Sequence, residues 1–111
     1  MYDFQEKKQI DSETKLLGHL KALGNSSYAV AKKLGSMKIR GGVNSTECPI
    51  TMYLKRLRYQ NVSVSTSSVD CETRSGVGID LSLPKACLKF VVDFDNGLYP
   101  GLLKKNAFVL E

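Results

Sequence analysis

The stretch NVSVSTSSVDCETRSGVGIDLSL, residues 61–83, decides the fold class, because its apolar residues recur at every second position. Val62 and Val64 alternate with serine, Val69 and Cys71 with acids, and Val77, Ile79, Leu81 and Leu83 with glycine, aspartate and serine. Successive side chains of an extended chain point to opposite faces, so a period of two marks strands with one buried and one solvated face. The apolar parity changes between Val64 and Val69, which requires a turn or bulge near Thr66 to Ser68, and TRSG at 73–76 reads as a hairpin turn. Two or three short antiparallel strands are expected.

On either side of this stretch the period is helical. Upstream, NSTECPITMYLKRLRYQ (44–60) places Ile50, Tyr53, Leu54 and Leu57 at i, i+3, i+4 and i+7, one buried stripe, with Lys55, Arg56 and Arg58 on the remaining surface. Pro49 suits a first helical turn, which makes Cys48 the N-cap or its neighbour. Earlier, a helix is expected from Asp11 or Ser12 to Leu23, with Leu16, Leu20 and Leu23 inward, His19 flanking them and Gly24 as its stop. Residues 1–10, with Tyr2, Phe4 and Ile10, read as an arm, a strand or a helix start. A second short helix, YAVAKKLG, follows the GNSS cap, with Val30 and Leu34 inward, Lys32 and Lys33 outward and Gly35 ending it. SMKIRGG (36–42) is a short strand or an ordered loop. Downstream, the helical period returns from Pro84 with Cys87, Phe90, Val91 and Phe94 on one face and Asn96-Gly97 as the stop, and Phe108, Val109 and Leu110 offer a packed extension. The expected architecture is α+β in one domain, 1–111: N-terminal helices, a small antiparallel sheet of two to three strands, and a C-terminal helix packed on the sheet.

With 111 residues, 42% hydrophobic and 24% charged, the chain has the size and balance of one globular domain. It has no apolar run near the roughly 20 residues of a membrane helix, and its first residues lack a signal-peptide core. A soluble, cytoplasmic protein with no membrane partner is the expectation.

The net charge of +5 is unevenly placed: nine basic residues face one acid between Lys15 and Arg58, a local +8, whereas five basic residues meet six acidic ones from Asn61 onward. Such asymmetry points to nucleic acid or another anionic partner, and equally to solvated lysines on helix faces. The candidate contacts are Lys32, Lys33, Lys38, Arg40, Lys55, Arg56 and Arg58, with the Gly41-Gly42 loop bringing backbone close to a ligand. SSYAVAKKLG also resembles the first half of a helix-turn-helix, but the next helix cannot start before about Cys48, too late for a standard recognition helix and compatible only with a variant that has a long connecting wing.

Catalytic motifs are lacking. There is no paired-carboxylate arrangement, no Ser-His-Asp set and no glycine-rich phosphate loop followed by Lys-Ser or Lys-Thr, so no cofactor is implied. Cys48, Cys71 and Cys87 cannot all pair, and with neither a CxxC nor an HxxxH spacing no metal site is expected. Cys71 and Cys87 sit at core positions of a strand and a helix. Cys48 is the one candidate catalytic thiol, since a helix N-terminus favours the thiolate; a thiol enzyme or redox sensor built on it lacks a partner base. A third alternative is a protein–protein adaptor or homodimer that pairs through the exposed edge of NVSVSTS.

CPITMYL, the Leu83-Pro84 pair and FVVDFDNGLYPGL resemble a group of small uncharacterised bacterial proteins whose pattern is Cys-Pro, an aliphatic helix with Tyr-Leu, Leu-Pro, then Phe-Val-x-x-Phe-Asp-x-Gly-x-Tyr-Pro-x-Leu. The matching positions are Cys48, Pro49, Tyr53, Leu54, Leu83, Pro84, Phe90, Val91, Phe94, Asp95, Gly97, Tyr99, Pro100 and Leu102. The resemblance spans residues 48–102 and implies a shared fold without an activity. The reading that follows is a small non-enzymatic binding or regulatory module.

Overall fold

The structure, a computed structural model, describes residues 4–44 and 46–103. Three helices come first, α1 (Phe4–Lys21), α2 (Ser27–Ser36) and α3 (Pro49–Arg56). Strands β1 (Gln60–Val64), β2 (Ser68–Glu72) and β3 (Gly78–Ser82) follow, then helix α4 (Lys85–Asp95) and a 3₁₀ turn at Pro100–Leu102. The fold is α+β. Among the described residues, no helix is long and apolar enough to cross a membrane.

The sheet is an antiparallel meander in the order β1-β2-β3. Val64 pairs with Val69 and Val69 with Leu81, while Ser63 pairs with Asp70 and Asp70 with Asp80. Directly opposed residues share a face, so one face carries valine, leucine, Cys71 and Ile79 and the other carries Ser63 and both aspartates. The parity change seen in the sequence is the β1–β2 turn, closed by the Ser65 amide donating to the Ser68 carbonyl at 2.9 Å. The second turn is held by Thr73, whose Oγ1 accepts from the Val77 amide at 2.9 Å, and it uses Gly76 at φ +98°. The edge strand β1 is interrupted by a register shift between Gln60 and Ser63, with Asn61 at φ +52°. A bulge of this kind blunts an edge against strand addition.

The helices cover the apolar face. Leu16 and Leu20 of α1, Val30 and Leu34 of α2, Ile50 and Leu54 of α3 and Phe90 and Phe94 of α4 join Val64, Val69 and Ile79 in one contiguous buried cluster. On the far side of β3, the Gln9 amide donates to the Gly78 carbonyl at 2.7 Å, so α1 covers that end of the strand.

Three local expectations are corrected. Helix α1 begins at Phe4, not at Asp11 or Ser12: Gln9 bonds Glu13 across one turn (3.1 Å), and the helix runs through both residues. Gly35 does not end α2. The helix continues to Ser36 and is closed by Lys38 at φ +59°, with the Ile39 amide reaching back to the Leu34 carbonyl at 3.1 Å. The Gly41-Gly42 segment is filled by the protein itself rather than open to a ligand. A Cβ on Gly41 would fall against the Glu47 carbonyl oxygen and lie 2.6 Å from the Pro49 nitrogen, and the Gly41 amide is bound to the Leu102 carbonyl at 2.8 Å. The long connection from Ser36 to Pro49 also rules out the helix-turn-helix spacing. The expected packing of Phe108, Val109 and Leu110 lies outside the described residues, as does Tyr2.

A buried polar clamp joins α2 to the C-terminal elements. Ser27 Oγ donates to Asp93 Oδ2 at 2.7 Å, and since a hydroxyl has one proton, the 2.7 Å contact between Ser27 Oγ and Tyr99 Oη is made with the tyrosine donating. Lys89 Nζ completes the set on Asp93 Oδ1 at 3.2 Å. The Ser27 bond, with Lys89 beside it, holds the Asp93 carboxyl below its ordinary value of 3.8. A depressed folded pKa stabilises the fold above the unfolded value, and that contribution fades as pH falls through the lower folded value. Tyr99→Phe is expected to lower stability by about 1 kcal/mol through the lost hydrogen bond. Ser27→Ala is expected to cost more and to flatten the loss of stability below pH 3.8, measured by denaturant titration across pH.

Candidate functional site

A cleft of about 790 Å³ opens where α1, the α3–β1 connection and the β2–β3 turn meet. Helix α1 contributes Ser12, Lys15 and His19, which the 3.6-residue period sets on one face. The α3–β1 connection contributes Leu57, Arg58 and Tyr59, and the hairpin turn contributes Thr73, Arg74 and Ser75. Three cations from three separate segments therefore meet around one cavity, and none of the described residues that line it carries a carboxylate. The one salt bridge among the described residues is Lys89–Asp93, so Lys15, Arg58 and Arg74 have no acidic partner. Hydroxyls of Ser12, Ser75 and Tyr59 add donors of the kind that bind phosphate oxygens.

His19 lines the cleft, edge-on to the Tyr59 ring (centroids 6.1 Å apart, planes at 77°). Burial, and then the Lys15 charge, lower its pKa, so the imidazole is neutral at pH 7. Burial, followed by Cys71 and Tyr53, raises the Tyr59 phenol, which stays protonated and able to donate.

Arg58 reaches the cleft through an unusual backbone. Leu57 caps α3, and Arg58 follows in the left-handed region at φ +78°, with its amide on the Lys55 carbonyl (3.0 Å) and the Tyr59 amide on the Leu54 carbonyl (3.1 Å). These two bonds are a Schellman closure, in which the left-handed position is ordinarily glycine. Helix α4 obeys that preference with Gly97 at φ +86°, whereas α2 uses Lys38 and α3 uses Arg58. A side chain in this conformation costs roughly 1–2 kcal/mol, partly offset by a cation's attraction to the helix C-terminus. Strain retained at a residue facing a cleft is the pattern of a functional position.

The other sequence-predicted cations do not gather at this cleft. Lys55 Nζ donates to the Thr46 carbonyl (3.3 Å) and Arg56 Nη1 to the Met37 carbonyl (2.8 Å), so both tie down loops. Lys32 and Arg40 line a second, smaller groove beside α2, while Lys33 and Lys38 are exposed. Lys15, His19 and Arg74 are not among the contacts expected from the sequence. Arg74 lies in the charge-neutral half, and its only signal was an arginine between Thr73 and Ser75 in a hairpin turn.

Cys48 is the N-cap of α3, as its place before Pro49 implies, but it is 3% exposed and its sulfur accepts from Thr51 Oγ1 at 3.6 Å. Burial raises its pKa, overriding the helix-terminal effect expected to lower it. Burial likewise pushes Cys71 and Cys87 up to about 11. All three are buried free thiols, and among the described residues no group of three His, Cys, Asp or Glu is placed to hold a metal ion. Iodoacetamide at neutral pH is therefore expected to label the three cysteines slowly in the native protein and rapidly in urea, read by mass spectrometry. Fast native labelling confined to Cys48 would restore the thiol reading.

No family model, no curated protein and no solved structure matches this chain, so its chemistry is read from the cleft itself.

Proposed function

We propose that this chain is a cytoplasmic, non-enzymatic binding module that holds the phosphate backbone of a nucleic acid in the cleft between α1 and the two turns. The observation that carries this reading is the convergence of Lys15, Arg58 and Arg74, none of them in a salt bridge among the described residues. Hydroxyls beside the cations suit phosphate oxygens, and a neutral His19 leaves the positive charge to groups that stay ionised across physiological pH. The three buried thiols fit a reducing compartment. Contacts of this type position a backbone without reading sequence, and their affinity derives from released counterions.

Three phosphate contacts imply a slope of about −2 to −3 in log affinity against log salt, so raising salt from about 50 to about 200 mM should weaken binding roughly twenty- to fortyfold. Arg58→Glu combined with Arg74→Glu is expected to abolish most of that dependence, measured by fluorescence anisotropy with labelled DNA and RNA. If neither single-stranded nor duplex DNA or RNA binds at low salt, the reading is wrong.

The strained cap supplies a second test. Arg58→Gly relieves the left-handed conformation and is expected to raise stability by about 1 kcal/mol while weakening nucleic-acid binding. A gain in stability with unchanged binding would leave Arg58 a capping residue only.

A further inference from the structure

The second groove, about 300 Å³, runs between α2 and the Pro100–Leu102 turn and differs in character from the cleft. Two tyrosines, Tyr28 and Tyr99, line it together with Lys32, Arg40, Gly35 and Gly101. Tyr28 stands 68% exposed on α2, far more than packing requires of an aromatic ring. Tyr99 is the outer end of a ring column that begins in the core. Phe94 stacks on Phe90 (5.8 Å, planes at 21°) and Phe90 on Tyr99 (5.5 Å, 15°), while the bond from Tyr99 Oη to Ser27 fixes the ring's tilt. A rigid aromatic ring is thus presented at the groove wall, and Lys32 and Arg40 belong to the same lining.

The glycines point the same way. Gly35 lies within α2, where glycine is less favourable than alanine. Core packing does not demand it, since a Cβ there would meet nothing nearer than Leu102 Cδ2 at 3.8 Å, and one on Gly101 would meet nothing within 4 Å. A methyl at Gly35 would instead narrow the groove.

We propose that this groove receives an unpaired base of a single-stranded nucleic acid, stacked against Tyr28 and Tyr99, with Lys32 and Arg40 on the flanking phosphates. The inference rests on the nucleic-acid reading of the cleft and adds which form of nucleic acid is bound. Stacking on aromatic side chains beside a basic track is how single strands are held without sequence preference, and a duplex, whose bases are already stacked on each other, cannot offer one. Two cations in the lining beside two tyrosine rings suit a planar, phosphate-flanked ligand.

The test compares three probes at low salt by anisotropy: a short oligothymidylate, an abasic strand of the same length and a duplex. The wild-type protein is expected to bind the oligothymidylate more tightly than the abasic strand, and Tyr28→Ala to erase that difference by weakening the oligothymidylate about tenfold while leaving the abasic strand unchanged. Tyr28→Trp should retain the preference. Gly35→Ala should raise Tm and still weaken the oligothymidylate, an outcome that misfolding cannot mimic. Equal binding of both strands by the wild-type protein, or loss of both alike in Tyr28→Ala, overturns the base-stacking inference while the cleft reading stands. A Tyr28→Ala change that only converts a dimer to a monomer in light scattering assigns the groove to a second copy and likewise overturns it. Failure of all three probes to bind removes the cleft reading, and the inference with it.

Discussion

The sheet has one apolar face, and the rest of the molecule is arranged around that constraint. Its register sets Val64, Val69 and Leu81 in one row and Ser63, Asp70 and Asp80 in the next. A slip of one residue would turn the aspartates into the core, so hydrophobic burial and the penalty for burying charge select the same pairing. Asp70 and Asp80, directly opposed and mutually repelling, are tolerated because that face is open to solvent. Asp70 and Asp80 are thereby kept out of the core, and neither is among the described residues that line the cleft.

The helices cover the apolar face, and the way they end shapes the surface. Helix α4 closes on Gly97, the residue its left-handed cap favours, while α2 and α3 close on Lys38 and Arg58 at the equivalent position. Arg56 reaches the Met37 carbonyl, so the two strained helix ends lie beside one another. Both ends aim a cation outward where glycine would have relaxed the backbone, and Arg58 opens directly into the cleft. The Ser27–Asp93–Tyr99 clamp acts in the same sense at the other site. It anchors α2 to α4 and, in the same set of bonds, sets the ring that walls the groove.

Much of the fold was legible because periodicity reports local geometry. The alternation in residues 61–83 marks the three strands and both turns, and the stripe Ile50, Tyr53, Leu54 marks α3 with Cys48 at its cap. Helix boundaries were less legible. Asp11 and Ser12 resemble caps, but the helix-forming residues before them carry α1 back to Phe4, and Gly35 resembles a stop that Lys38 supplies instead. Cap chemistry is a local preference that a neighbouring contact overrides. The role of Gly41 was equally hidden, since its need for a missing Cβ comes from backbone at Glu47 and Pro49 folding against it.

The α+β class, the order of elements, the core positions of Cys71 and Cys87 and an excess of positive charge before residue 60 are readable along the chain. Each follows from the spacing or counting of residues along the chain. Tertiary structure alone decided where that charge acts. Lys55 and Arg56 were drawn into holding loops, while Lys15, Arg58 and Arg74, 43 and 16 residues apart in the chain, were brought to one cleft. It also decided that Cys48, placed where a helix dipole favours the thiolate, is a protonated core thiol. Charge count and helix position are properties of the chain, but pairing and desolvation depend on what the fold packs against each group.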